Sequence, residues 1–399
     1  MTNGPPDPEA IPFNPLDPGF ARSPQSSYAR LHDPQSPQSA ALAGSPLITR
    51  YEDALWALRH PEVFSSEMDV EMALGTERPM IPQQIDPPRQ TQFRKILDPL
   101  FSRKRMQAIE PAIRSHATRL IDAFAGSGRC EFNRAFAIPY PCIIFLQLMG
   151  LPPEDLDLFL ELKDGIIRPP TPAGDMEAAV EHRAKTGKRI YAYFEDAIDE
   201  RRGEPRDDII SHLLGAQIDG KPLTRNEMLD ICYLFLLGGL DTVTATIGCN
   251  VLYLAENPTQ RRRLVENPEL IPVAVEELLR WETPVTGVPR VVKRDVRLGE
   301  REFSKGSLVM ILLGAANVDE GEFAPAEQVD LERGRNRHLA FGGGPHRCLG
   351  SHFARIELRI AMEELLRRIP DYEVAPGESP RVSPGIREVI YLPLVWDAS

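Results

Sequence analysis

Apolar positions along most of this chain recur at helical spacing. From about residue 87 to 256 the segments PPRQTQFRKILDPLF, SRKRMQAIEPAIRSHATRLIDAF, PYPCIIFLQLMG, PPEDLDLFLELKDG and MEAAVEHRAKTGKRIYAYFEDAIDERR read as successive helices. The longest predicted helix opens at Thr224, where Thr-Arg-Asn-Glu forms a capping box with Glu227, and runs to Glu256 before Asn257-Pro258. Its middle is apolar on every face, the pattern of a helix buried through a domain. Alternation at period two is scarce. LITRY (47–51) is a strand candidate, followed by a helix YEDALWALRH that Pro61 closes, and GVPRVVK (287–293), SLVMILL (307–313) and residues 387–396 supply the remaining β content. The fold class this predicts is mainly α, with small β-sheets around one long central helix. The first 45 residues are rich in Pro and Ser and read as an extended lead-in that wraps the surface.

Composition narrows the class. The chain has 399 residues, 42% hydrophobic and 26% charged, which is ordinary for a water-soluble protein. The longest uncharged apolar run, ICYLFLLGGL (231–240), is shorter than the roughly 20 residues a bilayer span needs, so no membrane partner is expected. MTNGPPDPEA lacks the basic-then-apolar order of a signal peptide. A net charge of -12 argues against nucleic acid as a partner. The cysteines at 130, 142, 232, 249 and 348 are odd in number and contain no CxxC pair, which points to a reducing cytoplasm. No repeat and no linker separates domains, so residues 1–399 are read as one.

One stretch breaks the helical pattern: FGGGPHRCLG (341–350) places Cys348 among glycines, directly before the predicted helix SHFARIELRIAMEELLRR. A zinc site needs three or four ligands, and only His346 and Cys348 are close, at a poor spacing. A reactive thiol profits from a following helix N-terminus, whose dipole and free amides favour thiolate. A glycine-rich turn around a buried cysteine is the plain alternative. A second irregularity is LLGGLDTVTA (236–245), where two glycines and an aspartate interrupt the long apolar helix. Helical glycine costs about 1 kcal/mol against alanine, and a buried Asp241 costs more unless paired. Either the glycines pack helices together, or Gly238 and Gly239 admit a flat group to the backbone while Thr242 opens a groove for water. Two further segments carry charge in apolar surroundings. VAVEELLRW (273–281) sets Glu277 and Arg280 three apart, with Val273 between them by helical angle and Trp281 nearby. IDPPRQTQFRKIL (85–97) combines Asp-Pro-Pro with Gln90 and Arg94.

Together these segments resemble the cytochrome P-450 family. Phe341, Gly342, Gly344, His346, Cys348 and Gly350 fill the six fixed positions of its haem-binding signature, Phe-Gly-x-Gly-x-His-x-Cys-x-Gly. Gly-Gly-Leu-Asp-Thr-Val is similar to its oxygen-activation motif, in the form found in bacterial camphor hydroxylase. Glu277 and Arg280 resemble its structural Glu-x-x-Arg element, with Arg333 of VDLERGRNRHLAFG (329–342) as third member, and Asp86, Pro87, Pro88, Thr91 and Arg94 resemble a further stretch in which Gln90 stands where histidine is common.

The resemblance implies haem b with Cys348 as axial thiolate, a ligand class that favours O–O cleavage, and loop amides that hydrogen-bond the sulfur. It implies that Gln90, Arg94, Arg290 and His346 bind the propionates and that Phe341, Gly342 and Gly350 shape the cofactor loop. Asp241 and Thr242 would deliver protons, so that one atom of O2 enters an apolar small molecule by hydroxylation or epoxidation. Leu237, Leu240, Val285, Thr286 and Val288 are the implied pocket residues, with Thr286 the polar handle, and the pocket walls fall at about 65–86, 152–180, 236–242 and 284–290. Electrons would come from a separate ferredoxin or flavodoxin, docking on Arg94, Lys95, Arg103, Lys104, Arg105, Arg347 and Arg355. The competing readings are a peroxide-driven peroxygenase and a non-enzymatic haem sensor; the intact Asp241-Thr242 pair argues against both.

Overall fold

The structure, a computed structural model, describes residues 18–32, 41–42, 45–68, 74–172, 174–299, 301–383 and 386–398. The lead-in at residues 1–17 and part of the expected pocket wall at 69–73 lie outside the described residues. Within the lead-in, Pro18–Arg22 and Pro24–Arg30 are short helices, not extended chain. The prolines sit in first turns, where a missing N–H costs nothing, and Tyr28 is buried against the rest of the protein.

The long helix spans Arg225–Glu256, and its capping box is formed: Thr224 Oγ1 accepts from the Glu227 amide at 3.2 Å while Glu227 Oε2 accepts from the Thr224 amide at 2.8 Å. It packs against helices Pro139–Met149, Met176–Gly203 and Ser351–Arg368 and against strand Glu388–Tyr391. It is the one helix among the described residues long and apolar enough to cross a membrane, but 78% of its most apolar stretch is buried inside the protein. It is therefore a core helix. Helix Ser351–Arg368, which follows the cysteine loop, lies along Arg103–Ala125.

The β component is small and divided among five sheets in the described residues. The main sheet has the order Ala41–Leu42, Ser45–Ile48, Leu308–Ile311, Val288–Val292, Phe64–Ser65. Its central pairs are parallel at Met310↔Leu47 and antiparallel at Val309↔Arg290. A second apolar core forms here, with Leu47, Phe64, Val292, Val309, Ile311 and Phe323 at its centre. Alternation on strand Val288–Val292 buries Arg290 and Val292. An arginine is thus built into the face of a sheet, where the burial rule excludes it unless something pairs with it.

Candidate functional site

The cysteine loop is held by its own backbone. The Cys348 amide donates to Phe341 O at 2.8 Å and the Gly342 amide to Leu339 O at 2.8 Å, which closes the turn. Gly342 and Gly344 have φ of +66° and +62°, the left-handed region that favours glycine. A Cβ on Gly344 would come within 2.1 Å of Leu58 O, so this glycine serves packing against helix Tyr51–Arg59 and not clearance for a flat group. Cys348 is exposed to a water-sized probe although protein atoms crowd round it, so its sulfur faces a recess. Burial raises the thiol pKa. A hydrogen bond from the Gly350 amide and the charges of Arg94, Arg347 and Arg355 oppose that rise without overcoming it. The Gly350 amide acts in the direction expected of the helix N-terminus, toward thiolate, against the larger effect of desolvation.

Next to this loop Arg290 and His346 lie near one carboxylate, Asp86. Arg290 is buried, and its Nη1 reaches only its neighbour's carbonyl, Pro289 O, at 2.7 Å. Burial pushes its pKa down to about 10, with Asp86 the charge that opposes the fall. His346 Nε2 is buried without a hydrogen-bond partner, 3.6 Å from Asp86 Oδ1. Burial acts to raise the Asp86 carboxyl, but His346, Ser65 and the Ser66 amide outweigh it and hold the pKa below its ordinary value. A buried arginine bonded to one carbonyl and a buried ring nitrogen without a partner fit the propionates of a haem, whose carboxylates would supply further acceptors. Gln90 and Arg94 are engaged differently from the expectation. Gln90 Nε2 donates to Pro345 O at 2.6 Å, and Arg94 Nη1 donates to Arg347 O at 2.8 Å while its Nε pairs with Asp98. Both side chains clamp the cysteine loop, because their helix, Arg89–Leu97, runs beside it.

Between Ile231 and Leu252 the long helix is buried everywhere except at Leu234, Gly238, Gly239 and Thr242. Helical spacing puts these four on one stripe. A Cβ on Gly238 would meet nothing within 4 Å, so the space beside it is open. Gly239 is different: its Cβ would lie 3.3 Å from the Phe145 ring, so it serves helix packing. Thr242 Oγ1 donates to Gly238 O at 3.2 Å across the stripe.

Asp241, 1% exposed, is anchored by Lys163 Nζ at 3.0 Å and by Arg168, whose Nη2 lies 3.0 Å from Asp241 Oδ2. The same Arg168 Nη2 also binds Glu388. Burial lowers the pKa of Lys163 and of Arg168, but in each the Asp241 charge and the neighbouring carboxylates reverse the effect and raise it. None of Lys163, Arg168 and Glu388 was singled out from sequence. The signal was the cost of burying Asp241 unpaired, which demands cations without saying where in the chain they lie.

Glu277, Arg280 and Arg333 come together. Arg280 Nη2 lies 2.7 Å from Glu277 Oε1, and Arg333 Nε lies 3.0 Å from Glu277 Oε2. Val273 does not sit between them in an apolar face; it is 39% exposed, and loop carbonyls cover the pair instead. Of the expected pocket residues, Val285, Thr286 and Val288 are half-buried. Leu240, 1% exposed, lies on the side of the helix opposite the open stripe and belongs to the core, and Leu237 is buried beside it. Leu234 takes the position expected of Leu240. The Thr286 hydroxyl meets the Tyr28 phenol, which is not the free handle expected.

The expected basic face is thinned by internal pairing. Arg355 makes a double contact with Glu276 at 2.7 Å and lies 4.4 Å from the centre of the Phe341 ring. Burial acts to raise Glu276, but His338 and Arg355 hold it down at about 2. Arg105 lies 4.0 Å from Asp207. Among the described residues, Lys95, Arg103, Lys104 and Arg347 are exposed and form no ion pair.

Comparison with known proteins agrees with this geometry. The profile of the family Cytochrome P-450 matches residues 267–385. The chain is 34% identical over 375 residues to a probable cytochrome P-450 127A1 of Sinorhizobium fredii, covering 91% of this chain and 88% of that one. It is 34% identical to the mycinamicin IV hydroxylase/epoxidase of Micromonospora griseorubida, covering 88% and 89%. Its fold superposes on a Bacillus megaterium cytochrome P-450 in complex with testosterone with a TM-score of 0.87, at 29% identity over 96% of this chain and 100% of that one. The chain belongs to the bacterial cytochromes P-450, haem-thiolate monooxygenases that carry haem b on a cysteine.

Proposed function

We propose that Cys348 is the axial thiolate of the haem, that Arg290 and His346 hold its propionates, and that Asp241 and Thr242 manage protons on the oxygen side. The observation that carries this reading is a buried Arg290 bonded only to the neighbouring Pro289 O, together with the unsatisfied His346 Nε2 of the cysteine loop. Haem on a thiolate supplies dioxygen binding and O–O cleavage. The chain supplies the rest. Gly350 donates its amide to the sulfur, and Gln90 and Arg94 fix the loop that carries it. Thr242, with its proton directed to Gly238 O, keeps lone pairs free to accept from a water beside the open stripe. Asp241 passes a proton from solvent to that water, held in place by its cations. The substrate is an apolar small molecule that enters along Leu234, Gly238 and Thr242 and is hydroxylated or epoxidised; relatives named as mycinamicin IV hydroxylase/epoxidase and steroid C26-monooxygenase support that class. A ferredoxin or flavodoxin delivers electrons at Lys95, Arg103, Lys104 and Arg347, in the cytoplasm, to a chain that works as one haem domain over residues 1–399.

The test uses the haem-loaded protein. Its reduced carbon monoxide complex is expected to show the strongly red-shifted Soret band of thiolate ligation, and Cys348→His to lose it. Arg290→Leu is expected to bind haem more weakly without that spectral change. A red-shifted band that persists in Cys348→His overturns the assignment. Screening apolar compounds for a low-to-high-spin shift then identifies the substrate class.

A further inference from the structure

Asp241 does not own its arginine. Arg168 Nη2 is shared between Asp241 Oδ2, at 3.0 Å, and Glu388 Oε2. Around it stand three carboxylates, Asp164, Asp241 and Glu388, against two cations, Lys163 and Arg168. Asp164 is 56% exposed and its charge is screened by solvent, whereas Asp241 and Glu388 are 1% and 4% exposed and bond the same guanidinium nitrogen. Buried like charges that share a counter-ion cannot both ionise freely.

Strand Glu388–Tyr391 packs directly on the long helix, which fixes Glu388 beside Asp241. The groups facing Glu388 are Arg168 and Lys163 from helix Leu156–Ile167 and its C-cap, and Asp241 and Cys249 from the long helix. Ser383 lies opposite across the hairpin. Asn133 is bound to Val389 O, and the adjacent Arg387 is paired with Glu282, so neither competes for Glu388.

We propose that Glu388 is a positioning residue for proton delivery: when ionised it draws Arg168 from Asp241, and when protonated it returns Arg168 to Asp241 and locks that carboxylate. The inference rests on the reading of Asp241 as the proton carrier. Asp241 accepts a proton from solvent and passes it inward more readily while its bonds to Arg168 are loosened, since Arg168 bonds both of its oxygens and Lys163 one of them. Glu388 provides the alternative partner that makes this loosening cheap. Burial first, and then the Asp241 charge, push the Glu388 pKa up to about 7, where its protonation changes within the working range of an enzyme.

Three measurements on haem-loaded protein test this. In the first, the protein turns over with an excess of a surrogate ferredoxin, its reductase and NADPH, which supply both electrons, and oxygen consumption is followed from pH 6 to 8.5. The ratio of the wild-type rate to that of Glu388→Gln is expected to be near one at pH 6 and at least about threefold at pH 8.5. A ratio that does not change with pH overturns the proposal. In the second, the wild-type protein is expected to show an infrared carboxyl band that disappears as pH rises through about 7. Its absence in the unmodified protein also overturns the proposal, whether or not the variant folds. The third separates the two readings: Asp241→Asn is expected to slow the same oxygen consumption at every pH. If it does not, the reading of Asp241 fails; if it does while Glu388→Gln matches wild type, the role of Glu388 alone fails.

Discussion

Two buried ion networks in this protein are made of the same side chains and behave in opposite ways. In the first, the Glu277 carboxylate accepts from Arg280 Nε and Nη2, Arg333 Nε, Asn336 Nδ2 and the Asp330 amide, all between 2.7 and 3.0 Å. Arg280 places its remaining donors on Asn317 O, Ala326 O and Gln328 O. Glu277 and Arg280 are both fully buried, yet no donor of Arg280 lacks an acceptor. In the second, Arg168 divides itself between Asp241 and Glu388, so neither carboxylate holds that guanidinium alone. A saturated network has one arrangement and fixes the chain around it. An unsaturated one has at least two arrangements of similar energy, which is what a moving proton needs.

The largest effect that distinguishes the two is expected at Arg280. Arg280→Ala takes two donors from the buried Glu277 and leaves Asn317 O and Ala326 O without their arginine donor. A loss of about 3–5 kcal/mol is expected in denaturant unfolding of the holoprotein. A loss below 1 kcal/mol in that measurement contradicts the view that this network fixes the fold.

Lys163→Ala should do less, about 1–3 kcal/mol, because Arg168 remains to pair with Asp241. The loss is expected to be greater at pH 8 than at pH 6, since an ionised Glu388 then competes for that one arginine. Equal losses at the two pH values would break the contrast drawn above.

A smaller effect follows from Glu388 in the unmodified protein. Its folded pKa of about 7 lies above the ordinary 4.5, so the native state keeps a proton that the unfolded chain has already released. Between those two values the native state binds more protons, and the contribution of this group to stability falls as pH rises. Unfolding midpoints are expected to decline across that window in wild type and to decline less in Glu388→Gln. The Glu277 network predicts no matching difference: Arg280→Lys should lower the midpoint without changing its slope against pH.

The smallest effect serves as a reference outside both networks. Thr224→Ala removes the side-chain half of the capping box and is expected to cost about 1 kcal/mol alike at pH 6 and pH 8, where Glu227 stays ionised, read from the same unfolding curves.

Sequence was sufficient wherever the cause is local or repeats along the chain. Apolar spacing and a capping box located the long helix from its cap at Thr224 to its end at Glu256. Alternation located strands Val288–Val292 and Leu308–Ile311. A ten-residue motif singled out Cys348, and an intrahelical spacing singled out Glu277 and Arg280. Tertiary structure decided what depends on partners distant in the chain. Pattern alone did not turn Leu234 rather than Leu240 toward the open stripe, or turn Gln90 and Arg94 onto the loop backbone. Nor did it bring Lys163, Arg168 and Glu388 to Asp241, or give Gly344 its reason in Leu58. A buried charge announces in sequence that it needs a counter-charge, because its desolvation must be offset. Which residue answers depends on how elements more than seventy positions apart pack together.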